Sequence, residues 1–127
     1  HLMGKKIYLP VVQDDFSLQF TRYRSTDPLI KNNMGIDEPT SNETLPPEQL
    51  SLVIVPGLVY SHAGHRLGYG KGCYDRTFAC LASPHTSFST KTPKLIAPAY
   101  AFQVIEPWTP KSHDIPMHAV FTEKTIY

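Results

Sequence analysis

Long apolar runs are missing from this sequence: no stretch approaches the ~20 consecutive residues that a membrane-spanning helix needs. An excess of one charge is missing too. The 12 basic and 11 acidic residues leave a formal net charge of +1, which argues against a nucleic-acid surface built on bulk electrostatics. Cysteine is scarce. Cys73 and Cys80 fall on one predicted helix, roughly 10 Å apart along its axis and too far for a disulfide. Reduced thiols and a cytoplasmic protein are therefore expected, since no signal-peptide pattern opens the chain. No Ser/His/Asp or Cys/His arrangement offers a protein nucleophile, and no motif places a base on Cys73. His62 and His65, with Cys73 beyond, lack the second Cys or His pair of a zinc site. Disorder is excluded as well, because hydrophobic residues make up 41% of the chain and charged residues 18%. At 127 residues the chain can bury one core, so a single domain over residues 1–127 is expected.

Glycine is present and concentrated. Five of the chain's seven glycines, at positions 57, 64, 68, 70 and 72, fall within the segment LVIVPGLVYSHAGHRLGYGKGCYDR, Leu52 to Arg76. Leu52-Val53-Ile54-Val55 is a short β-branched run closed by Pro56-Gly57, which predicts a strand buried on both faces, as parallel sheets require. A site follows at its carboxyl end. The glycines from Gly64 onward let the backbone take positive φ values and approach a ligand closely. Tyr74, Phe78 and Leu81 then recur at helical spacing, so the loop feeds a helix start, where partial positive charge favours anions.

The loop is not a Walker A motif, because the first glycine would fall at His65 and the hydroxyl residue at Gly72. Nor is it a dinucleotide fingerprint: Gly68-Tyr69-Gly70-Lys71-Gly72-Cys73 has no acidic residue about twenty positions on. What remains is a phosphate cradle of another kind. Lys71 supplies a mobile positive charge and Arg66 a forked one, while Asp75 on the first helical turn supplies a hard oxygen suited to Mg²⁺ shared with phosphates. A glycine-rich turn with surface charges is the plainer alternative.

These residues resemble a known signature. RLGYGKGCYDR is similar to the RLGxGxGxYD motif of the 5-formyltetrahydrofolate cyclo-ligase family, also called 5,10-methenyltetrahydrofolate synthetase. The resemblance extends to LVIVPGLVY, to Lys6-Ile7-Tyr8-Leu9-Pro10, to Gly35-Ile36-Asp37-Glu38-Pro39, to Gln103 and to His113-Asp114-Ile115-Pro116. Ser61 stands where the family usually has Asp, and Cys73 where it usually has an aromatic residue. The resemblance implies a Rossmann-like α/β fold, a layered sheet with flanking helices similar to the ribose-5-phosphate isomerase and CoA-transferase group. It also implies that the family's N-terminal helical region has no counterpart here, the chain matching roughly the C-terminal two thirds of the family's domain. The implied activity is ATP-dependent conversion of 5-formyltetrahydrofolate to 5,10-methenyltetrahydrofolate, with release of ADP and phosphate through a phosphorylated formyl intermediate. The implied roles are charge stabilisation by Lys71 and Arg66 and ATP contact along Arg66, Leu67, Gly68, Tyr69, Gly70, Lys71, Gly72, Cys73 and Tyr74. Folate contact would come from Tyr69 to Cys73 and from near Gly35 to Pro39, and Mg²⁺ would be held by Asp75 and Asp114. By spacing alone Asp114 would be a turn former.

The rest of the chain reads as support. Ile7 to Val12 is a predicted strand interrupted by Pro10, followed by a turn at Asp14-Asp15 and a strand in which Phe16, Leu18 and Phe20 share a buried face. From Thr26 to Gln49 the periodicity fails and prolines punctuate a long connection. Ser83 to Pro93 is polar and patternless, Lys94 to Phe102 reads as a strand, and Met117 to Thr122 as the last one. Nothing in the sequence covers the face of the first strand, so a preceding segment, a partner chain or self-association is expected to cover it. Two other classes stay open: a nucleotide- or folate-binding module without turnover, and one piece of a two-chain assembly.

Overall fold

A computed structural model of the chain describes residues 4–79, 92–111 and 114–127. Strand β1 (Ile7–Val12) turns back into β2 (Leu18–Tyr23), a short hairpin joins β3 (Leu29–Lys31) to β4 (Asp37–Pro39), and β5 (Thr44–Leu45) precedes β6 (Leu52–Ile54). A second hairpin joins β7 (Val59–Tyr60) to β8 (Arg66–Leu67), helix α1 spans Cys73–Phe78, and β9 (Lys94–Pro98) and β10 (Ala119–Phe121) complete the strands. The β1, β2 and β5 strands form an antiparallel sheet, whereas β10, β9 and β6, in that order, form a parallel one. The architecture is α/β-like, with mixed sheets and one short α-helix among the described residues.

The core lies on one face of the parallel sheet. Val53, Leu95, Ala97 and Val120 point inward and meet Phe78 of α1 and Leu18 and Phe20 of β2, with the Phe20 and Phe78 ring centroids 5.9 Å apart. The opposite face is open, which corrects the expectation of a strand buried on both sides. Leu52 and Ile54 remain 52% and 62% exposed and Phe121 40% exposed. A side-chain period of two puts these residues together, away from the core.

Several boundaries differ from the sequence reading. β1 runs unbroken through Pro10, because an edge strand can lack a donor on its outer side. Phe16 leaves the strand alternation and sits in the β1–β2 turn with φ 64. The turn is closed by hydrogen bonds from Phe16 N–H to Gln13 O and from Gln13 N–H to Ser17 O. Ser17 donates twice to the Asp15 carboxylate, from its hydroxyl and its backbone, which holds that carboxyl below its ordinary range. The connection from Thr26 to Gln49 contains β3, β4 and β5 rather than unpatterned chain. Asn32 Oδ1 there accepts the N–H groups of Met34 and Ile36, and Glu38 Oε1 accepts from Asn32 Nδ2 and from Val12 N–H, fastening the hairpin to β1. The expected strand Lys94 to Phe102 ends at Pro98 and gives way to a 3-10 turn at Ala101–Gln103, and the last strand is confined to Ala119–Phe121. Leu81, Cys80 and most of Ser83 to Pro93 lie outside the described residues.

Glycine at position 64 is a packing requirement. Its φ is +86, its carbonyl accepts the Met117 N–H at 2.7 Å, and a Cβ there would sit 2.5 Å from the Met117 carbonyl oxygen. Gly35 has a similar φ of +76 but open space around it. Gly64→Ala should therefore destabilise the fold by about 1–3 kcal/mol more than Gly35→Ala, the size of an overpacking penalty added to a common backbone term. Urea unfolding of the two variants measures the difference; equal losses would show that Met117 gives way freely.

Candidate functional site

The site begins where β6 ends. Val55 and Tyr60 are fully buried, and the Tyr60 hydroxyl donates to Val55 O at 3.4 Å. A Cβ at Gly57 would meet that hydroxyl at 2.7 Å, so the Pro56-Gly57 turn can wrap the tyrosine only with glycine in place. Gln103 fixes the turn from outside, donating from Nε2 to Leu58 O at 3.1 Å while its Oε1 accepts Tyr100 N–H at 2.7 Å. The sequence singles out Gln103 by resemblance alone; its work is to tie the 3-10 turn after β9 to the Gly57-Leu58 turn that follows β6. Ser61, a departure from the motif the sequence resembles, is buried in the β7–β8 turn, and its Oγ accepts the His65 N–H at 3.1 Å. A hydroxyl at this position can fill the turn-closing role of a short carboxylate.

β8 delivers Arg66 inward. Its side chain is only 4% exposed, with Nη1 donating to Pro56 O at 3.2 Å, Nη2 lying 3.7 Å from Asp75 Oδ2, and the guanidinium carbon 5.3 Å from the Tyr74 ring centroid. Gly68 passes directly over this group, since a Cβ there would come 2.7 Å from Arg66 Nη1. The forked charge expected beside the loop is thus beneath it. Gly70 (φ +92) and Gly72 (φ +66) both adopt left-handed conformations, and a Cβ on either would meet nothing within 4 Å. The loop is therefore open to solvent above and supported by a cation below.

Gly72 caps α1, which places Cys73, Tyr74 and Asp75 in the first turn. Burial pushes the Tyr74 hydroxyl above the ordinary phenol range, with the Arg66 charge pulling the other way; burial raises Tyr60 similarly. Asp75 Oδ1 accepts the Ile115 N–H at 3.4 Å, so the segment carrying Asp114 is drawn against α1 although the two are remote in sequence. Asp114 Oδ2 accepts the Lys111 N–H at 2.8 Å, and its own N–H donates to Lys111 O. The structure therefore brings Arg66, Tyr74, Asp75 and the Asp114 segment together. Leu67, Tyr69 and Lys71 lie on the exposed side, with Lys71 Nζ 5.3 Å from the Phe16 ring centroid. Cys73 is a half-buried free thiol, and His113 lies outside the described residues.

No group of three or more His, Cys, Asp or Glu residues suited to a metal occurs among the described residues. Asp75 and Asp114 are hard oxygen donors of the kind by which Mg²⁺ is held through one or two carboxylates, with phosphates and waters completing the shell.

The model of the 5-formyltetrahydrofolate cyclo-ligase family matches residues 1–123. The chain belongs to this family. It is 32% identical to the 5-formyltetrahydrofolate cyclo-ligase of Escherichia coli over 98% of this chain and 66% of that protein, and 31% identical to the Haemophilus influenzae cyclo-ligase over 91% and 60%. The solution structure of Aquifex aeolicus 5,10-methenyltetrahydrofolate synthetase superposes with a TM-score of 0.76 at 32% identity, covering 96% of this chain and 57% of that one. A Mycoplasma pneumoniae synthetase shares the fold, with a TM-score of 0.58 at 23% identity. The chain thus spans 66% of the E. coli cyclo-ligase and less of the others. Among the described residues no helix is long and apolar enough to cross a membrane.

The Arg66–Asp75 pair can be tested by stability. Asp75→Asn leaves a buried guanidinium without its counter-charge and should lose about 2–3 kcal/mol, below the loss for a fully enclosed pair because Asp75 keeps some solvent contact. Asp37→Asn, which breaks the exposed pair with Lys31, should change stability by less than about 0.5 kcal/mol in the same urea series. Equal effects would show that Asp75 does not balance Arg66.

Proposed function

We propose that the chain carries the ATP- and folate-handling core of a 5-formyltetrahydrofolate cyclo-ligase. The observation that carries this reading is the glycine loop, open at Gly70 and Gly72 and backed by the buried Arg66 under Gly68. ATP would lie along Arg66 to Tyr74, and the folate against Tyr69 to Cys73 and the Gly35 to Pro39 arm. The formyl group of 5-formyltetrahydrofolate is amide-like, so its oxygen leaves poorly and its carbon resists attack by N10. Phosphoryl transfer from ATP to that oxygen breaks the β–γ bond, leaves ADP and gives an imidate phosphate, on whose carbon N10 closes with loss of its proton and of phosphate. Such a reaction asks the protein chiefly to position groups and balance charge. Lys71, on the open side, meets the transferring phosphate, and Arg66 adds positive potential from beneath.

Asp75 and Asp114 are the residues that would hold Mg²⁺, which when bound supplies charge neutralisation at phosphate oxygens. The fold, in this reading, is of the Rossmann-like kind found in the ribose-5-phosphate isomerase and CoA-transferase group; the parallel order β10-β9-β6, with α1 on one face, supports it. The open face carrying Leu52, Ile54 and Phe121 supports a second element of the proposal, that polypeptide outside residues 1–127 covers it and completes the catalytic unit. A cytoplasmic setting belongs to the same reading, although the Arabidopsis thaliana relative is named as mitochondrial.

The direct test is the spectrophotometric appearance of 5,10-methenyltetrahydrofolate with and without Mg-ATP; product formed equally well without ATP would overturn the reading. In a form of the protein that turns over, Lys71→Ala should lower kcat by on the order of 10²–10³-fold, the effect of losing one preorganised charge-stabilising group. Wild-type turnover in that variant would remove Lys71 from the reaction. Asp114→Asn keeps the side chain's shape and removes its charge, so the Mg²⁺ concentration for half-maximal activity should rise. An unchanged Mg²⁺ requirement would return Asp114 to the role of turn former.

A further inference from the structure

Phe16 is an unexpected residue at its position. A bulky side chain at φ 64 is a backbone outlier, and glycine or asparagine would take the same conformation with less strain. Packing does not explain it either, since Phe16 is 38% exposed and takes no part in the buried core or the shell packed against it. The β1–β2 turn that presents it is well anchored to α1. Arg76 Nη1 donates to Asp15 O, Leu18 N–H donates to Thr77 Oγ1 at 2.8 Å, and that hydroxyl donates to Cys73 O at 2.6 Å. The ring is thus held near the end of the Lys71 side chain by a turn whose anchoring contacts do not involve Lys71. It meets the Lys71 ammonium, 5.3 Å from the ring centroid, and Lys71 has no ion pair among the described residues.

We infer that Phe16 is a positioning residue for the glycine loop: its ring holds the Lys71 ammonium beside the phosphate cradle, so that an incoming phosphate meets a charge already localised. The inference rests on the proposed role of Lys71 at the transferring phosphate. A lysine on four rotatable bonds otherwise loses much of its freedom when it engages a phosphate, and the negative face of an aromatic ring reduces that loss in advance without neutralising the charge. The attraction is weak enough for phosphate to outcompete it. Strain kept at one turn residue then has a use, as strained residues near functional sites commonly do.

The test compares Phe16→Leu, Phe16→Gly and Phe16→Tyr. The ε-methylene resonance of Lys71, assigned by its loss in Lys71→Arg, should be shifted upfield by the ring current in the wild type and in Phe16→Tyr, and unshifted in the other two. The Kd for Mg-ATP should rise about three- to fivefold in Phe16→Leu and Phe16→Gly and stay unchanged in Phe16→Tyr, the scale of an exposed cation–aromatic contact. Phe16→Gly is the folding control, because glycine suits the φ of this turn and its Tm should be no lower than that of Phe16→Leu. An unshifted ε-methylene in the wild type overturns the inference. So does wild-type affinity in Phe16→Leu where Lys71→Ala weakens binding, a result that leaves the role of Lys71 intact. Wild-type affinity in Lys71→Ala, or no Mg-ATP binding by the wild type, overturns both.

Discussion

A guanidinium with 4% of its side chain exposed needs compensation for its lost hydration, and at Arg66 three groups on two segments supply part of it. Pro56 contributes a carbonyl from the end of β6, Asp75 a carboxylate from α1, and Tyr74 a ring face from the same turn of helix. Taking such a charge out of water costs several kcal/mol unless its partners are in place. The sheet end, the hairpin and the helix are therefore positioned by one side chain as much as by the core below them. Gly68 belongs to this arrangement, since a Cβ there would come 2.7 Å from Nη1 and the guanidinium would have to shift.

The two basic residues of the loop consequently differ in kind. Arg66 is buried and already engaged, so it provides a standing positive potential; Lys71 is exposed, with its ammonium 5.3 Å from the Phe16 ring centroid. Division between a static support and a movable charge suits a reaction in which negative charge shifts between donor and acceptor oxygens, because the support need not reorganise. Asp75 stands between these tasks. One of its oxygens faces Arg66 and the other accepts from Ile115, which connects the glycine loop to the segment of Asp114.

The parts of the fold that could be read from the sequence were those with local causes. β1, β2, β6, β9 and the start of α1 have apolar patterns that tertiary packing reinforces, and the glycine loop announced its conformation through residues that tolerate positive φ. The burial of Arg66 was not legible, because no spacing rule distinguishes an arginine that points at a ligand from one that points under the loop. Phe16 departs from its pattern for a related reason: its alternation with Leu18 and Phe20 is real, but the turn that removes it from the strand is set by Asp15 and Ser17 hydrogen bonds. The β3–β4 hairpin leaves no mark in the sequence pattern because its three-residue strands are too short to show a period, and Asn32 and Glu38 hold it through side chains. The open face of the parallel sheet is not legible, because β-branched residues look alike whether both sides are covered or one.

The order of strands in that sheet bears on how the molecule forms. The β1–β2 and β7–β8 pairs close short loops, but β6 meets β9 through Leu52 and Lys94, and β9 meets β10 through Ile96 and Ala119. Pairings so far apart along the chain close slowly, since long loops must be ordered before their contacts can stabilise anything. The contact from Asp75 to Ile115 spans a similar distance, and it joins elements on the two sides of that closure. Hairpins can thus be complete while the loop still lacks its support, and the glycine loop takes its final shape only as the last long-range contacts close.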